Sequence, residues 1–129
     1  NYIEVVVVGP DEESYQWSEK VAKRVGAPVT VCKKTRYSSR KVKISFKDKL
    51  NLKNKTIVIV DDIISTGHTM IEVIKFVKKQ KPKKIVCMGV HGLFVENAYN
   101  KLKRAGANEI VTTNSITHKS NKIDLTKIL

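Results

Sequence analysis

Cysteine is nearly absent from this chain. Cys32 and Cys87 are the whole thiol inventory, far apart and each within an apolar strand-like run. That spacing gives no disulfide framework and no zinc pattern, and it fits two buried thiols in a reducing, cytoplasmic setting. No apolar run approaches the length of a membrane span, so no membrane partner is expected. No secretory leader is visible, because Asn1-Tyr2-Ile3-Glu4 turns directly into a strand. An initiating Met is also missing, so a fragment or a processed product is expected. The chain carries neither a G-x-x-x-x-G-K-[ST] loop nor a G-x-G-x-x-G fingerprint, which argues against P-loop hydrolases and dinucleotide binders. There is no internal repeat and no low-complexity linker.

Acidic residues are scarce: 12 Asp and Glu stand against 25 Lys and Arg, a net charge of +13. Such an excess can attract nucleic acid through its phosphates. Here the charges are scattered, with no recognition helix, zinc finger or aromatic stacking platform, so nucleic acid is not the expected partner. Lys75, Lys78, Lys79, Lys81, Lys83 and Lys84 crowd one helix end and the loop after it. Cations there favour the helix dipole. Anionic small-molecule substrates account for part of the remaining charge, and a lysine-rich proteome for the rest.

What is present is strand-helix alternation. At 129 residues and 41% apolar content the chain supports one domain with a single core. Strands are expected at Ile3 to Val8, Val29 to Cys32, Thr56 to Val60, Lys84 to Val90 and Glu109 to Thr113. Val42 to Phe46 alternates as a half-exposed, antiparallel-looking strand should. Helices are expected from about Ser14 to Val25, from about Thr69 to Lys79 and around Val95 to Leu102, with Gly26 and Gly106 as stops. The buried face of the second helix is Met70, Val73, Ile74 and Val77. Lys33 to Lys41 is polar and without period, so a loop is expected. The tail holds one weaker apolar run around Ile123 to Leu125. The fold class is therefore α/β: a parallel sheet with helices on both faces.

The chemistry concentrates between Thr56 and Met70. A β-branched run ends in Asp61-Asp62, and Ser65-Thr66-Gly67-His68-Thr69 leads into a helix. Ligands of open α/β sheets bind just outside the carboxyl ends of the strands. The two acids suit sugar hydroxyls or a magnesium ion. The loop amides, the hydroxyls and the positive end of the helix suit a phosphate. A ligand with diol and phosphate together fits best, and ribose-5-phosphate is such a ligand. Plainer readings coexist with this one. Thr69 and Glu72 form a Thr-x-x-Glu capping box, Ser65 and Thr66 can serve as turn residues, and Asp62 can be structural.

This segment resembles the ribose-phosphate loop of the type I phosphoribosyltransferase fold, in which an apolar strand runs into two acids and a Thr-Gly-x-Thr turn. Further pieces resemble the carboxyl-terminal half of the PRPP synthetase (ribose-phosphate pyrophosphokinase) family. They are Val5-Val6-Val7-Val8-Gly9-Pro10-Asp11, Lys33-Lys34-Thr35-Arg36, Val90-His91-Gly92-Leu93-Phe94, Ala98 through Leu102 with Ala105-Gly106, and Thr112-Thr113-Asn114-Ser115-Ile116. Together they cover nearly the whole chain.

The resemblance implies diphosphoryl transfer from ATP to ribose-5-phosphate, giving PRPP and AMP. It implies that Lys34 and Arg36 are catalytic, that Asp11 helps bind Mg2+, and that Asp61, Asp62, Ser65, Thr66, Gly67, His68 and Thr69 hold ribose-5-phosphate. It also implies a homologous amino-terminal domain that supplies much of the ATP site, and a homo-oligomer. Residue by residue, plainer roles remain. Lys34 and Arg36 can be solvated loop charges, Asp11 a turn-former or helix cap, and His91 a strand end. His118 lies in the polar tail. Two positions depart from the family: Glu12-Glu13 follow Asp11 where a residue and then Gly are usual, and His68 stands where synthetases usually carry Gly. The alternatives are a free-standing phosphoribosyltransferase that uses PRPP, and a non-catalytic regulatory homologue.

Overall fold

The computed structural model describes residues 4–36, 38, 42–48 and 50–112. Six strands form one sheet: β1 (Val5–Gly9), β2 (Val29–Arg36), β3 (Val42–Phe46), β4 (Thr56–Ile64), β5 (Lys84–Gly92) and β6 (Glu109–Thr112). Their order is β3-β2-β1-β4-β5-β6. All neighbours run parallel except β3, which pairs antiparallel with β2. The helices are α1 (Tyr15–Val25), α2 (His68–Lys78) and α3 (Ala98–Ala105), with a 3-10 turn at Glu12–Ser14 before α1. None of these helices is long and apolar enough to cross a membrane.

The continuous apolar runs are explained by burial on both faces. Val6, Val8, Ile57, Ile59, Ile85, Cys87 and Ile110 pack on one face against Met70, Val73, Ile74 and Val77 of α2 and Leu102 of α3. Their alternates, Val7, Val58, Val60, Val86, Met88 and Val111, pack on the other face against Ala22, Val21 and Trp17 of α1. Each fully buried Val or Ile stabilises the fold by roughly 1.5–3 kcal/mol relative to exposure, so these two layers dominate stability. The expected α2 face is the observed one.

The strand order reverses at β1, which has β2 on one side and β4 on the other. The carboxyl ends of β1 and β4 therefore border the crevice where ligands of such sheets bind.

Three local expectations are corrected. β2 does not stop at Cys32; it continues to Arg36 because β3 supplies the pairing partners, from Cys32↔Phe46 to Arg36↔Val42. An outer hairpin with a solvated face accepts polar side chains, so this stretch has no apolar signal. β4 and β5 likewise run past Val60 and Val90, held by the pairs Asp61↔Gly89, Ile63↔His91 and Ile64↔Gly92. The Thr69–Glu72 capping box does not form. Gly67 is the N-cap, at φ 78°, and no side chain caps the helix. Ile3, Thr113, the Asn114 to Ile116 piece, His118 and the Ile123 to Leu125 run lie outside the described residues.

Candidate functional site

At the end of β4 burial gives way abruptly. Val60 is buried, Asp61 half-buried, Asp62 and Ile63 exposed, and Ile64 turns back into the core. The inward turn depends on Gly89, the partner of Asp61 in register: a Cβ there would lie 2.8 Å from the Ile64 side chain. Ile64 occupies the space that a side chain at residue 89 would take. The chain then turns through Ser65 and Thr66 to Gly67, whose left-handed backbone starts α2. Other residues reach that conformation only at a cost of roughly 1–2 kcal/mol. The Gly67 carbonyl accepts the Ile71 amide at 2.8 Å, and the Thr66 hydroxyl lies 3.4 Å from the His68 amide.

Asp61 and the residues from Ile63 to Met70 line a cleft of about 120 Å³. Six of the seven residues expected to bind ribose-5-phosphate are thus brought together: Asp61, Ser65, Thr66, Gly67, His68 and Thr69. Asp62 is beside them in sequence but does not line the cleft, and its carboxylate accepts the Ile63 amide at 2.8 Å. Asp61 accepts the Asp62 amide in the same way, also at 2.8 Å. Partial burial nevertheless pushes the Asp61 carboxyl up to about 7, with the nearby negative charges of Asp11 and Asp62 adding to the shift. A cation or a hydroxyl donor in the cleft would favour its ionised form.

Asp11, two residues past the end of β1, is the cap of the 3-10 turn. Its carboxylate accepts the Ser14 amide at 2.9 Å, and the Ser14 hydroxyl donates to the Asp11 carbonyl at 2.8 Å. The capping role read from the sequence is therefore present. The same charge acts on Asp61 across the crevice. Glu12 and Glu13, next in the turn, are exposed. Among the described residues no group of three His, Cys, Asp or Glu converges to hold a metal ion.

Lys34 stands on β2 rather than on a free loop. Its ammonium group lies 3.1 Å from Glu72 of α2, with both side chains partly exposed. Arg36 closes the hairpin as the last residue of β2, paired with Val42. Phe46 of the hairpin packs against Phe76 of α2, ring centroids 4.9 Å apart, so β2, β3 and α2 are tied together. Both thiols are buried, and burial pushes each up to about 12, far from a reactive thiolate.

The sequence marks Val90 to Phe94 only by resemblance and does not reveal that this segment pins the loop from the β5 side. The Ile64 carbonyl accepts the amides of Leu93 and Phe94 at 2.9 and 3.2 Å, and the Ser65 carbonyl accepts that of Val95 at 3.1 Å. Phe94, Glu96 and Asn97 all have left-handed φ values, 48°, 55° and 62°. Strain of this kind needs surrounding structure to hold it. Gly92 permits it, since a Cβ would collide with the Phe94 ring and the Thr112 methyl. Isolated glycines inside strand patterns, Gly89 and Gly92, were the available signal.

Sheet order, parallel pairing and an acid-to-hydroxyl turn at the switch point define an α/β protein of the type I phosphoribosyltransferase class. The chain belongs to the phosphoribosyl transferase domain family, whose model matches residues 1–126. It is similar to ribose-phosphate pyrophosphokinases. That of Sulfolobus acidocaldarius is 33% identical over 123 residues, and that of Sulfurisphaera tokodaii 35% over 123. Each match covers 95% of this chain and 42% of the relative, so the chain spans about two fifths of the length of those proteins. Among solved structures, phosphoribosylpyrophosphate synthetase from Mycobacterium smegmatis superposes with a TM-score of 0.74 at 28% identity, over 93% of this chain and 39% of that one.

Proposed function

We propose that this domain is the ribose-5-phosphate-binding half of a cytoplasmic ribose-phosphate diphosphokinase. In that reaction the anomeric hydroxyl of ribose-5-phosphate attacks the β-phosphorus of ATP. A new O–P bond forms, the bond from the β-phosphorus to the α,β-bridging oxygen breaks, AMP leaves, and the hydroxyl proton is released. The products are PRPP and AMP. The observation that carries the reading is the cleft from Asp61 to Met70, which puts a carboxylate, two loop hydroxyls and a helix amino terminus around one small space. The two chemistries match the two ends of ribose-5-phosphate. The names of the similar proteins supply the reaction.

Each residue then has a task. Asp61 accepts hydrogen bonds from ribose hydroxyls, while Ser65, Thr66, Gly67, His68 and Thr69 wrap the 5-phosphate. Asp62 serves the ribose from the rim. Lys34 and Arg36 neutralise the transferring diphosphoryl group, Lys34 as a movable point charge and Arg36 as a fork. Asp11, Asp61 and Asp62 offer hard carboxylate oxygens, and a bound cation would favour the ionised form of Asp61, which partial burial first and the neighbouring carboxylates second disfavour. Magnesium, which usually takes one or two carboxylates and otherwise phosphates and water, suits that donor set. It would supply charge neutralisation on the phosphates. A homologous amino-terminal domain would complete the ATP site, and assembly as a homo-oligomer belongs to the same reading.

Calorimetric titration with ribose-5-phosphate and magnesium tests the proposal on this chain. Saturable binding, lost in Asp61→Ala, is the expected result. Undetectable binding at millimolar ligand, unchanged by His68→Gly, would overturn it. In the two-domain protein, Lys34→Ala and Arg36→Ala should lower turnover far more than they weaken ribose-5-phosphate binding, because charges that meet substrate mainly in the transition state act on kcat.

A further inference from the structure

The opposite end of the sheet holds a second cleft. It has a volume of about 430 Å³ and lies among the end of α2, the start of β5, the end of α3 and the loop into β6. Five lysines line it: Lys78, Lys81, Lys83, Lys84 and Lys103. Gly106 forms part of the floor at φ 135°, and the Lys78 ammonium lies 3.6 Å from where a side chain on Gly106 would begin. Lys103 donates to the Asn108 carbonyl at 2.7 Å, and Lys84 pairs with Glu109 at 3.0 Å. The ammonium groups of three elements therefore gather around one short loop.

Helix dipoles do not account for this concentration. Lys78 and Lys103 sit in the last turns of α2 and α3, where cations are favoured. Lys81 and Lys83 lie beyond the helix, and Lys81 adopts a left-handed φ of 56°. Glu109 offsets Lys84, and the two helix ends together offset about one more charge, which leaves about three of the five uncompensated. Among the described residues Lys78, Lys81 and Lys83 make no ion pair. Like charges gathered around one cleft repel one another even in water. A multivalent anion removes that repulsion and gains attraction to each. The lining is mostly polar, so it offers a nucleobase no apolar slot.

We infer that this lysine cleft is a second anion site, separate from the ribose-phosphate crevice, that binds a short, multiply charged phosphate chain. A polyphosphate or the phosphate tail of a nucleotide has the required chemistry.

The probe is inorganic tripolyphosphate, titrated into the chain while backbone amide shifts are followed by NMR. Saturable shifts at Lys81, Lys83 to Ile85 and Gly106 to Asn108 are expected, weakening as salt rises. Lys81→Glu combined with Lys83→Glu should weaken binding at least about tenfold. Lys20→Glu with Lys23→Glu on α1, an equal change in net charge, should leave it unchanged. Equal weakening by both pairs would show bulk charge attraction and overturn the site. So would shifts confined to Ser65 to Thr69. Tighter binding of a single-stranded RNA of equal charge at the cleft would overturn the short-chain assignment. A nucleoside monophosphate and a nucleoside triphosphate, run in parallel, separate dependence on phosphate number from dependence on the base.

Discussion

The two ends of this sheet carry opposite chemistry. At the carboxyl ends of β1 and β4, carboxylates crowd together, Asp61 is held well above the usual carboxylate range, and a glycine in left-handed conformation opens a helix. At the amino end of β5, five lysines surround a glycine-floored cleft. The first end is built by backbone geometry: strand register, the inward turn of Ile64 and the pinning segment after β5. The second is built almost wholly by long, flexible side chains. The difference teaches where a net charge of +13 is informative. It does not mark the crevice that the fold creates for ligands, which is locally acidic.

The largest expected effect strikes the backbone-built end. Gly89→Val forces a branched side chain into the space held by Ile64. Overpacking of this kind costs about 1–3 kcal/mol, read as a lower denaturation midpoint, and it should displace the loop from Ser65 to Thr69. An equally destabilising core change remote from the cleft, such as Val58→Ala at the start of β4, should leave ribose-5-phosphate affinity intact. If Gly89→Val keeps full affinity, the register at Asp61 does not shape the site.

Next in size is Asp61→Asn. The folded-state carboxyl is raised to about 7, so the folded form binds the proton more tightly than the unfolded chain does. That stability is fully present below the ordinary carboxylate range and is lost as pH rises through about 7. Asn carries no such charge. The variant should therefore gain on the parent at pH 8, by about 1 kcal/mol once solvent screening of a half-exposed group is allowed for, and gain nothing at pH 4. Thermal melts at both pH values check this. The same variant should bind ribose-5-phosphate less tightly, because the amide loses an acceptor for the diol. A gain in stability with a loss of binding would mark Asp61 as a functional group kept at a cost to the fold.

The smallest effect concerns the contact that bridges β2 and α2. Glu72→Gln removes the partner of Lys34, but the pair is partly exposed, so stability should change by less than about 0.5 kcal/mol. Side-chain NMR of Lys34 should report greater motion. A large loss of stability would mean that the hairpin depends on this pair rather than on Phe46 packing against Phe76.

Much of this architecture is legible in the residues, for a physical reason. Burial on both faces leaves unbroken β-branched runs, so β1, β4 and β5 are visible without a partner strand. The α2 stripe is visible through its period. The Asp61 to Thr69 turn is visible because mixed chemistry at fixed spacing has few other uses. What is hidden depends on distant partners. The last residues of β2 look like loop because their pairing comes from β3. Thr69 and Glu72 form a correct local capping pattern, but Gly67 caps the helix two residues before Thr69, and Glu72 turns to Lys34. The lysine run from Lys75 to Lys84 is plain in one dimension, whereas Lys103 joins it only through the packing of α3 beside α2.

The measurement that tests the central claim most directly is an amide-resolved NMR titration of this chain with ribose-5-phosphate in the presence of magnesium. The account predicts saturable shifts at Asp61 and from Ser65 to Thr69, with the loop from Gly106 to Asn108 unaffected at the same ligand concentration. Shifts confined to the lysine cleft, with Ser65 to Thr69 silent, would contradict it.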